Sequence, residues 1–373
     1  MVNMAELMCN PLTPLAFTPR GMMKLSFDMM QLSAAAVRWL APWRETRRGL
    51  QEFENKLEAF NLFVHVDSVL AIPSQGEVYL PELIRKAEAL EPYRAVWATE
   101  GLGYYLATKL CEWSEAPRRL LNGERSGELP EKSLAALHAG MGLAIADRLM
   151  KTISPGSHES ESRRVLDQFV MACRDNSRPG YIGATYESLG LVARNLYPQM
   201  IARLDQQLRQ IDEDLVAYFW HGVGRGIYFA PTNFLPDGNS GRAVKMTCQE
   251  PQHELGRRNA LAGLAWAMTL VNIRHPEILE SFLKHHGSQL GDRDAFINGV
   301  SSSVMIWRDS TVDDPSLEAF CNYQPDSSDR TLVERWEEMV RRPCLRALEH
   351  VYPALKARRR LGEVFHCHDA MAG

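Results

Sequence analysis

The stretch Glu100-Gly-Leu-Gly103, followed by Tyr104-Tyr-Leu106, decides the fold because it places two glycines inside a helix-forming segment. A glycine inside a helix costs about 1 kcal/mol relative to alanine, so a repeated pair of them needs a physical reason. Apolar residues before and after the pair follow the i, i+3, i+4 spacing of an amphipathic helix. Close approach of another helix backbone and a ligand channel lined by small residues are the two explanations that the pattern leaves open.

Similar four-residue motifs recur along the chain. In each motif, a polar or small residue precedes glycine or serine, then an aliphatic residue and a second small residue. The copies are Glu100-Gly-Leu-Gly103, Ala139-Gly-Met-Gly142, Glu187-Ser-Leu-Gly190, His221-Gly-Val-Gly224, Ala262-Gly-Leu-Ala265 and Asn298-Gly-Val-Ser301. Their spacing averages about 40 residues, which is typical of helix pairs with variable loops. We therefore predict an all-α protein of about six tandem helical hairpins, forming an α-solenoid or a closed α-toroid.

The chain divides into three predicted parts. Residues 1–47 are a partly helical N-terminal extension, 48–345 the helical-repeat domain, and 346–373 a C-terminal helix and tail. The proline- and glycine-containing stretch 231–256 predicts a long loop, either a lid or pocket wall or a plain surface loop. The Met- and Leu-rich segment 21–43 favours a packing element over a membrane anchor.

Composition argues against several classes of protein. The net charge of -4 lacks the basic excess that a nucleic-acid partner demands. No apolar run is long enough to span a bilayer, and the seven cysteines form no CxxC pair. We therefore expect a cytoplasmic protein with reduced thiols, without a transmembrane segment and without nucleic acid as a partner.

The common catalytic motifs are missing from the sequence. It contains no P-loop, no HExxH and no GxSxG, and Gly222-Val-Gly-Arg-Gly226 lacks the spacing of a dinucleotide fingerprint. His366-Cys-His-Asp369 is rich in metal ligands, but adjacent residues point in different directions. We predict neither a cofactor nor a metal, with a redox or metal enzyme that uses scattered His and Cys as a third hypothesis.

Ionisable residues at the first motif position are the candidate catalytic groups. If the units stack in register, Glu100, Glu187 and His221 face one surface, where a carboxylate and an imidazole could act as acid and base. The alternative is that each of them bridges neighbouring helices. Aromatic and polar residues near the motifs are candidates for ligand binding. They are Tyr104, Arg225, Tyr228, Asn233 and Trp266.

Three segments carry a resemblance to a known family. They are Leu80-Pro-Glu-Leu-Ile84 through Trp97-Ala-Thr-Glu-Gly-Leu-Gly103, His138-Ala-Gly-Met-Gly142, and His221-Gly-Val-Gly-Arg-Gly-Ile-Tyr-Phe229. Over about residues 48–307 the chain resembles the bacterial DUF1702 family, with Glu100 and Arg225 at positions that match its pattern. The stretch after Phe229 departs from that pattern.

The resemblance implies a role in enediyne or related polyketide biosynthesis, because members of that family are encoded in such gene clusters. Our leading hypothesis is an accessory protein whose helix-lined apolar cavity binds a hydrophobic, polyene-like intermediate and, in its catalytic version, transforms it. The alternative is a helical-repeat scaffold that binds a polyketide synthase or carrier protein without catalysis. The sequence alone leaves open whether the protein is an enzyme.

Overall fold

The structure is a computed structural model that describes residues 19–73, 79–109, 119–123, 128–234, 240–325 and 328–367. Within these ranges every regular element is helical and there is no strand, which confirms the predicted all-α class. Even Asn61–Val64, where the sequence alternates loosely between polar and apolar residues, lies at the end of a helix.

Nineteen α-helices lie within the described ranges. In the first half they are α1 (Pro19–Leu40), α2 (Arg44–Val64), α3 (Val66–Val69), α4 (Leu80–Glu88), α5 (Pro92–Lys109), α6 (Leu134–Met150), α7 (Glu159–Asn176) and α8 (Ile182–Leu196). In the second half they are α9 (Ile201–Arg209), α10 (Glu213–Phe229), α11 (Pro231–Phe234), α12 (Ser240–Gln249), α13 (Glu254–Val271), α14 (Pro276–His286), α15 (Arg293–Ser310), α16 (Pro315–Asn322), α17 (Arg330–Trp336), α18 (Arg342–Arg346) and α19 (Tyr352–Ala357). Short 3₁₀ turns cover Glu131–Ser133, Pro198–Met200 and Leu361–Phe365.

The six helices that carry the motif form the core. These helices are buried on most of their circumference, and they are α5, α6, α8, α10, α13 and α15. In α6, for example, fifteen of the residues from Leu134 to Met150 are buried. A helix that is apolar all round has to be surrounded by protein. Shorter amphipathic helices such as α4 and α9 bury one face only.

The glycines of the motif bring helix backbones into direct contact. A Cβ atom at the second motif position would overlap a backbone oxygen of the preceding motif helix. That oxygen is the carbonyl oxygen of the first motif residue there. The pairs are Gly140 with Glu100, Gly222 with Glu187 and Gly263 with His221. In the third motif, Ser188 Oγ instead donates to the carbonyl oxygen of Ala139, at 3.0 Å. The second motif position is therefore small because another backbone occupies the space, and the same contact recurs from one motif helix to the next.

The first and last motif helices also touch. The rings of Tyr93 on α5 and Trp307 on α15 lie 6.0 Å apart. The Tyr93 hydroxyl lies 3.1 Å from the carbonyl oxygen of Asn55 and 3.0 Å from that of Val271. These contacts join α5 to α2, α13 and α15.

The stretch 231–256, predicted as one long loop, contains two helices. Residues 231–234 form α11 and residues 240–249 form α12, while residues 235–239 lie outside the described ranges. α12 contains no proline, and it buries Ala243, Val244 and Thr247 on one side. That amphipathic spacing stabilises a helix where the flanking prolines and glycines suggested a loop.

Residues 330–357 form one helical stretch, so the boundary predicted after residue 345 falls inside it. Two π-helical segments, Glu337–Arg341 and Ala347–Val351, interrupt the stretch. Each of them lies just before a proline, Pro343 or Pro353. A proline ring clashes with the carbonyl group four residues earlier, and a wider turn relieves that clash.

Candidate functional site

Three of the core helices meet at a buried charged cluster made of Glu100, Glu187, His221 and Arg225. His221 and Arg225 lie one turn apart on α10, so both side chains leave the same face of that helix. Arg225 Nη2 donates to Glu100 Oε1 on α5 at 2.5 Å, and Arg225 Nη1 donates to Glu187 Oε2 on α8 at 3.2 Å. His221 Nδ1 lies 2.8 Å from Glu187 Oε1. The three residues predicted as catalytic therefore share one network, with Arg225 at its centre.

The cluster is removed from solvent, which governs its protonation. Burial raises the pKa of Glu187, but Arg225 and the hydrogen bond from His221 outweigh burial, so the pKa ends below its usual value. Burial dominates at Glu100 and raises its pKa, against the attraction of Arg225 and with a smaller contribution from the charge of Glu187. Glu187 therefore has the lower pKa of the two carboxyl groups and is the stronger acid. Glu100 has the higher pKa and takes up a proton more readily.

An aromatic corner covers the imidazole of His221. The ring of Trp266 on α13 lies 6.2 Å from the imidazole, and the ring of Phe365 lies 6.5 Å from it, both roughly edge-on. The guanidinium carbon of Arg225 lies 5.0 Å from the centre of the Trp266 ring, within the range of a cation–π interaction. Trp266 and Arg225, both predicted as ligand-binding residues, thus belong to the same site as the acid–base candidates.

Three nitrogen atoms of this site have no hydrogen-bond partner among the described residues. They are Nε2 of His221, Nε of Arg225 and Nε1 of Trp266. His221 is fully buried and the side chain of Arg225 is 4 % exposed, so solvent does not satisfy these atoms directly. A buried polar group without a partner costs about 1–3 kcal/mol, so each of these three nitrogen atoms needs a physical explanation.

The other predicted ligand-binding residues lie elsewhere. Tyr228 and Asn233 belong to a second polar cluster near the end of α10. Lys56 Nζ donates to the carbonyl oxygen of Asn233 at 2.9 Å. The same atom lies 4.0 Å from the centre of the Tyr228 ring. The Tyr228 hydroxyl accepts from Asn272 Nδ2 at 2.8 Å. Tyr104 is separate from both clusters, with its hydroxyl 3.1 Å from Asp147 Oδ2.

Two of the residues that build these sites were not predicted from the sequence. Phe365 comes from the 3₁₀ turn Leu361–Phe365, far from any motif, and Lys56 comes from α2, which carries no motif. Neither position shows a local pattern. The only available signal at Lys56 is its place on the inner face of an amphipathic helix, an unusual location for a lysine.

Histidines and cysteines do not converge within the described ranges, where no group of three or more His, Cys, Asp or Glu residues could hold a metal ion. His366 packs edge-on against Tyr218 with ring centres 4.6 Å apart, while His368 and Asp369 lie outside the described residues.

His138, from one of the family-like blocks, is fully buried. Its Nδ1 atom lies 2.7 Å from the carbonyl oxygen of Leu134, and its Nε2 atom accepts a hydrogen bond from the backbone N–H of Arg178. Its ring nitrogens are thus both used within the fold.

Comparison with protein-family models, with curated proteins and with solved structures finds no match to this chain. None of the helices in the described ranges has the length and apolar character needed to cross a membrane.

Proposed function

We propose that the protein is a closed ring of about six helical hairpins that binds the oxygen-bearing end of a hydrophobic, polyene-like intermediate in bacterial polyketide-type biosynthesis. The recurring contact between motif glycines and neighbouring carbonyl groups supports the repeat arrangement. The contact between Tyr93 and Trp307 supports closure of the ring. The sequence resemblance to the DUF1702 family supports the biosynthetic setting.

The observation that carries the proposal is the pairing of Glu187 with His221 beneath an aromatic corner. With its Nδ1–H donated to Glu187, the imidazole keeps its lone pair on Nε2, which has no protein partner. The indole of Trp266 and the phenyl ring of Phe365 supply apolar surface beside this atom. A carboxylate that orients an imidazole next to apolar surface is an arrangement suited to proton transfer on a largely apolar molecule.

The reaction class that follows is an isomerisation by proton transfer. His221 Nε2 takes a proton from a carbon that lies between a carbonyl group and a carbon–carbon double bond of the substrate. The electron pair of that C–H bond forms a new carbon–carbon π bond, and the π electron pair of the carbonyl group moves onto its oxygen. Arg225 Nε–H and Trp266 Nε1–H donate hydrogen bonds to this oxygen. The proton then returns from Nε2 to a different carbon, so the double bond shifts without gain or loss of electrons. Glu187 stabilises the imidazolium while it exists.

The test is complementation of a host strain from which the gene has been deleted. We expect Glu187→Gln and His221→Gln to fail to restore the natural product and to accumulate a precursor isomeric with the next intermediate. Trp266→Phe, which removes the indole donor but keeps an aromatic ring, is expected to restore part of the output. The control is His138→Gln, which alters another fully buried histidine away from the cluster and is expected to restore output if the variant folds.

The same experiment separates catalysis from scaffolding. A scaffold that binds a synthase or carrier protein uses outer surfaces, so a folded His221→Gln variant would restore full output. That outcome would make the acid–base function wrong. Mass spectrometry of a solvent extract from the purified protein supplies the second readout, because a bound polyene-like molecule identifies the substrate class directly.

A further inference from the structure

Helix α1 turns an apolar face away from the rest of the protein. Residues 29–40 expose almost only apolar side chains over a broad stripe, with Leu32 73 % exposed and Trp39 84 % exposed. The exposed apolar residues of the segment are Met29, Met30, Leu32, Ala36, Val37, Trp39, Leu40 and, just after the helix, Trp43. The packing role predicted for this segment therefore accounts for only one side of the helix.

The side of α1 that faces α2 is the more polar one. Ala34 is buried there, and Arg38 Nε donates to Glu54 Oε1 on α2 at 2.8 Å. Gln31 and Ala35 are half-buried on the same side. An amphipathic helix that only packed onto its own protein would place the large apolar residues inward. The reversed orientation leaves the apolar stripe available to something outside the chain.

The composition of the stripe indicates what that is. Two tryptophans lie at its C-terminal end, next to Arg44 and Arg47, both exposed. Residues 29–40 contain no acidic residue, and nearby Glu45 accepts a hydrogen bond from Ser281 and is paired with Arg48. Tryptophan beside arginine, at the edge of an apolar helix face, is the composition of helices that lie at the boundary between lipid headgroups and acyl chains.

We propose that this face, residues 29–43, docks on an anionic phospholipid surface, with α1 lying in the plane of the bilayer. The apolar side chains enter the acyl boundary and the exposed Arg44 faces the phosphate groups, while Arg47 Nε donates to the carbonyl oxygen of Ala41 and holds the chain after the helix. The helix does not cross the bilayer, in keeping with the absence of any spanning helix in the described ranges. Docking at a membrane does not depend on the chemistry proposed at His221.

The test is sedimentation of the full-length protein with vesicles. We expect binding to vesicles of phosphatidylcholine with phosphatidylglycerol, and weaker binding to phosphatidylcholine alone. The variant Leu32→Ser/Trp39→Ser/Trp43→Ser is expected to bind at least about tenfold more weakly, because binding scales with the apolar area buried in the lipid. Arg44→Glu is expected to remove most of the preference for the anionic vesicles.

The matched control is Met171→Ser/Val312→Ser, which replaces two exposed apolar residues outside α1. Met171 lies on α7 and is 62 % exposed, and Val312 lies in the turn after α15 and is 65 % exposed. It should bind vesicles as the unmodified protein does, and circular dichroism shows whether each variant folds. A dimer in light scattering that the three serine substitutions dissociate, together with no vesicle binding, would overturn the proposal. The stripe would then be an interface between two copies of the chain. Equal vesicle binding by the triple variant and the control would also overturn it.

Discussion

Arg225 Nη2 lies 2.5 Å from Glu100 Oε1, although 125 positions separate the two residues in the chain. A second nitrogen of the same guanidinium, Nη1, donates to Glu187 at 3.2 Å, so a single arginine on α10 joins α5 to α8. All three side chains are almost completely removed from solvent. Burying these charges has a desolvation cost that only the intact network offsets.

Arg225→Met should therefore destabilise the fold strongly, since it leaves two carboxyl groups without their cation. We expect the free energy of unfolding to fall by about 3–5 kcal/mol at neutral pH, measured by urea denaturation followed by circular dichroism. Combining Arg225→Met with Glu100→Gln and Glu187→Gln removes the uncompensated charge and should recover part of the loss. Equal stability of Arg225→Met and the unmodified protein would contradict this account.

Gly222→Ala tests the contact between helix backbones. A methyl group at Gly222 would overlap the carbonyl oxygen of Glu187 and approach the backbone nitrogen of Leu191 to 2.9 Å, so α8 and α10 must move apart. We expect a loss of about 2 kcal/mol or more in the free energy of unfolding. Gly291→Ala is the control, because nothing lies within 4 Å of its Cβ position, and it should be neutral to within about 0.5 kcal/mol.

His138 should make stability depend on pH below neutrality. Burial lowers the pKa of His138 from 6.5 to about 4, against a hydrogen bond to the carbonyl of Leu134, with Arg178 lowering it further. The unfolded chain therefore binds a proton in this range that the folded protein does not. Stability from this group is complete above pH 6.5 and is lost as the pH falls towards 4, by roughly 3 kcal/mol in total.

Urea denaturation at a series of pH values measures this dependence. His138→Gln removes the titrating group. The plot of the free energy of unfolding against pH should therefore be less steep between the two pKa values, by the amount that corresponds to the uptake of close to one proton on unfolding. If the slope of the variant matched that of the unmodified protein, another group would be responsible for the pH dependence.

Phe365→Ala should open the corner above His221. His221 is fully buried, and Phe365 is one of the two aromatic rings that cover it. We expect diethyl pyrocarbonate to modify His221 at least about tenfold faster in the variant, followed by mass spectrometry of the digested protein. The exposed His350 serves as the internal reference, since its modification rate should not change. Similar protection of His221 in both proteins would show that Phe365 does not control access.

Three members of the charged cluster could be placed together from the sequence because they share one position of a recurring motif. Glu100, Glu187 and His221 each occupy the first motif position, and Arg225 follows His221 by one helical turn. Residues in equivalent positions of stacked helices lie close together whenever the stacking is regular. Here the close approaches of Gly140 to Glu100, Gly222 to Glu187 and Gly263 to His221 bring these positions together.

Phe365, Lys56 and α12 could not be predicted in the same way. Phe365 and Lys56 reach their partners through contacts between segments distant in sequence, and no local periodicity encodes such contacts. α12 lies between prolines and glycines that dominate the local signal, whereas its stability depends on burying one face. Tyr104, Tyr228 and Asn233 are near the cluster in sequence, but the structure gives their side chains other hydrogen-bond partners, which are Asp147, Asn272 and the carbonyl group of Ile227.

The contacts between successive motif helices also bear on how the chain folds. Each motif helix packs against the motif helices before and after it in sequence, so most of the core can assemble by adding one helix at a time. The contact between Tyr93 and Trp307 joins the first and last of these helices and requires the intervening chain to be in place. The contacts of Arg225 with Glu100 and of Tyr93 with Trp307 should therefore form after the rate-limiting step, and substitutions there should accelerate unfolding more than they slow folding.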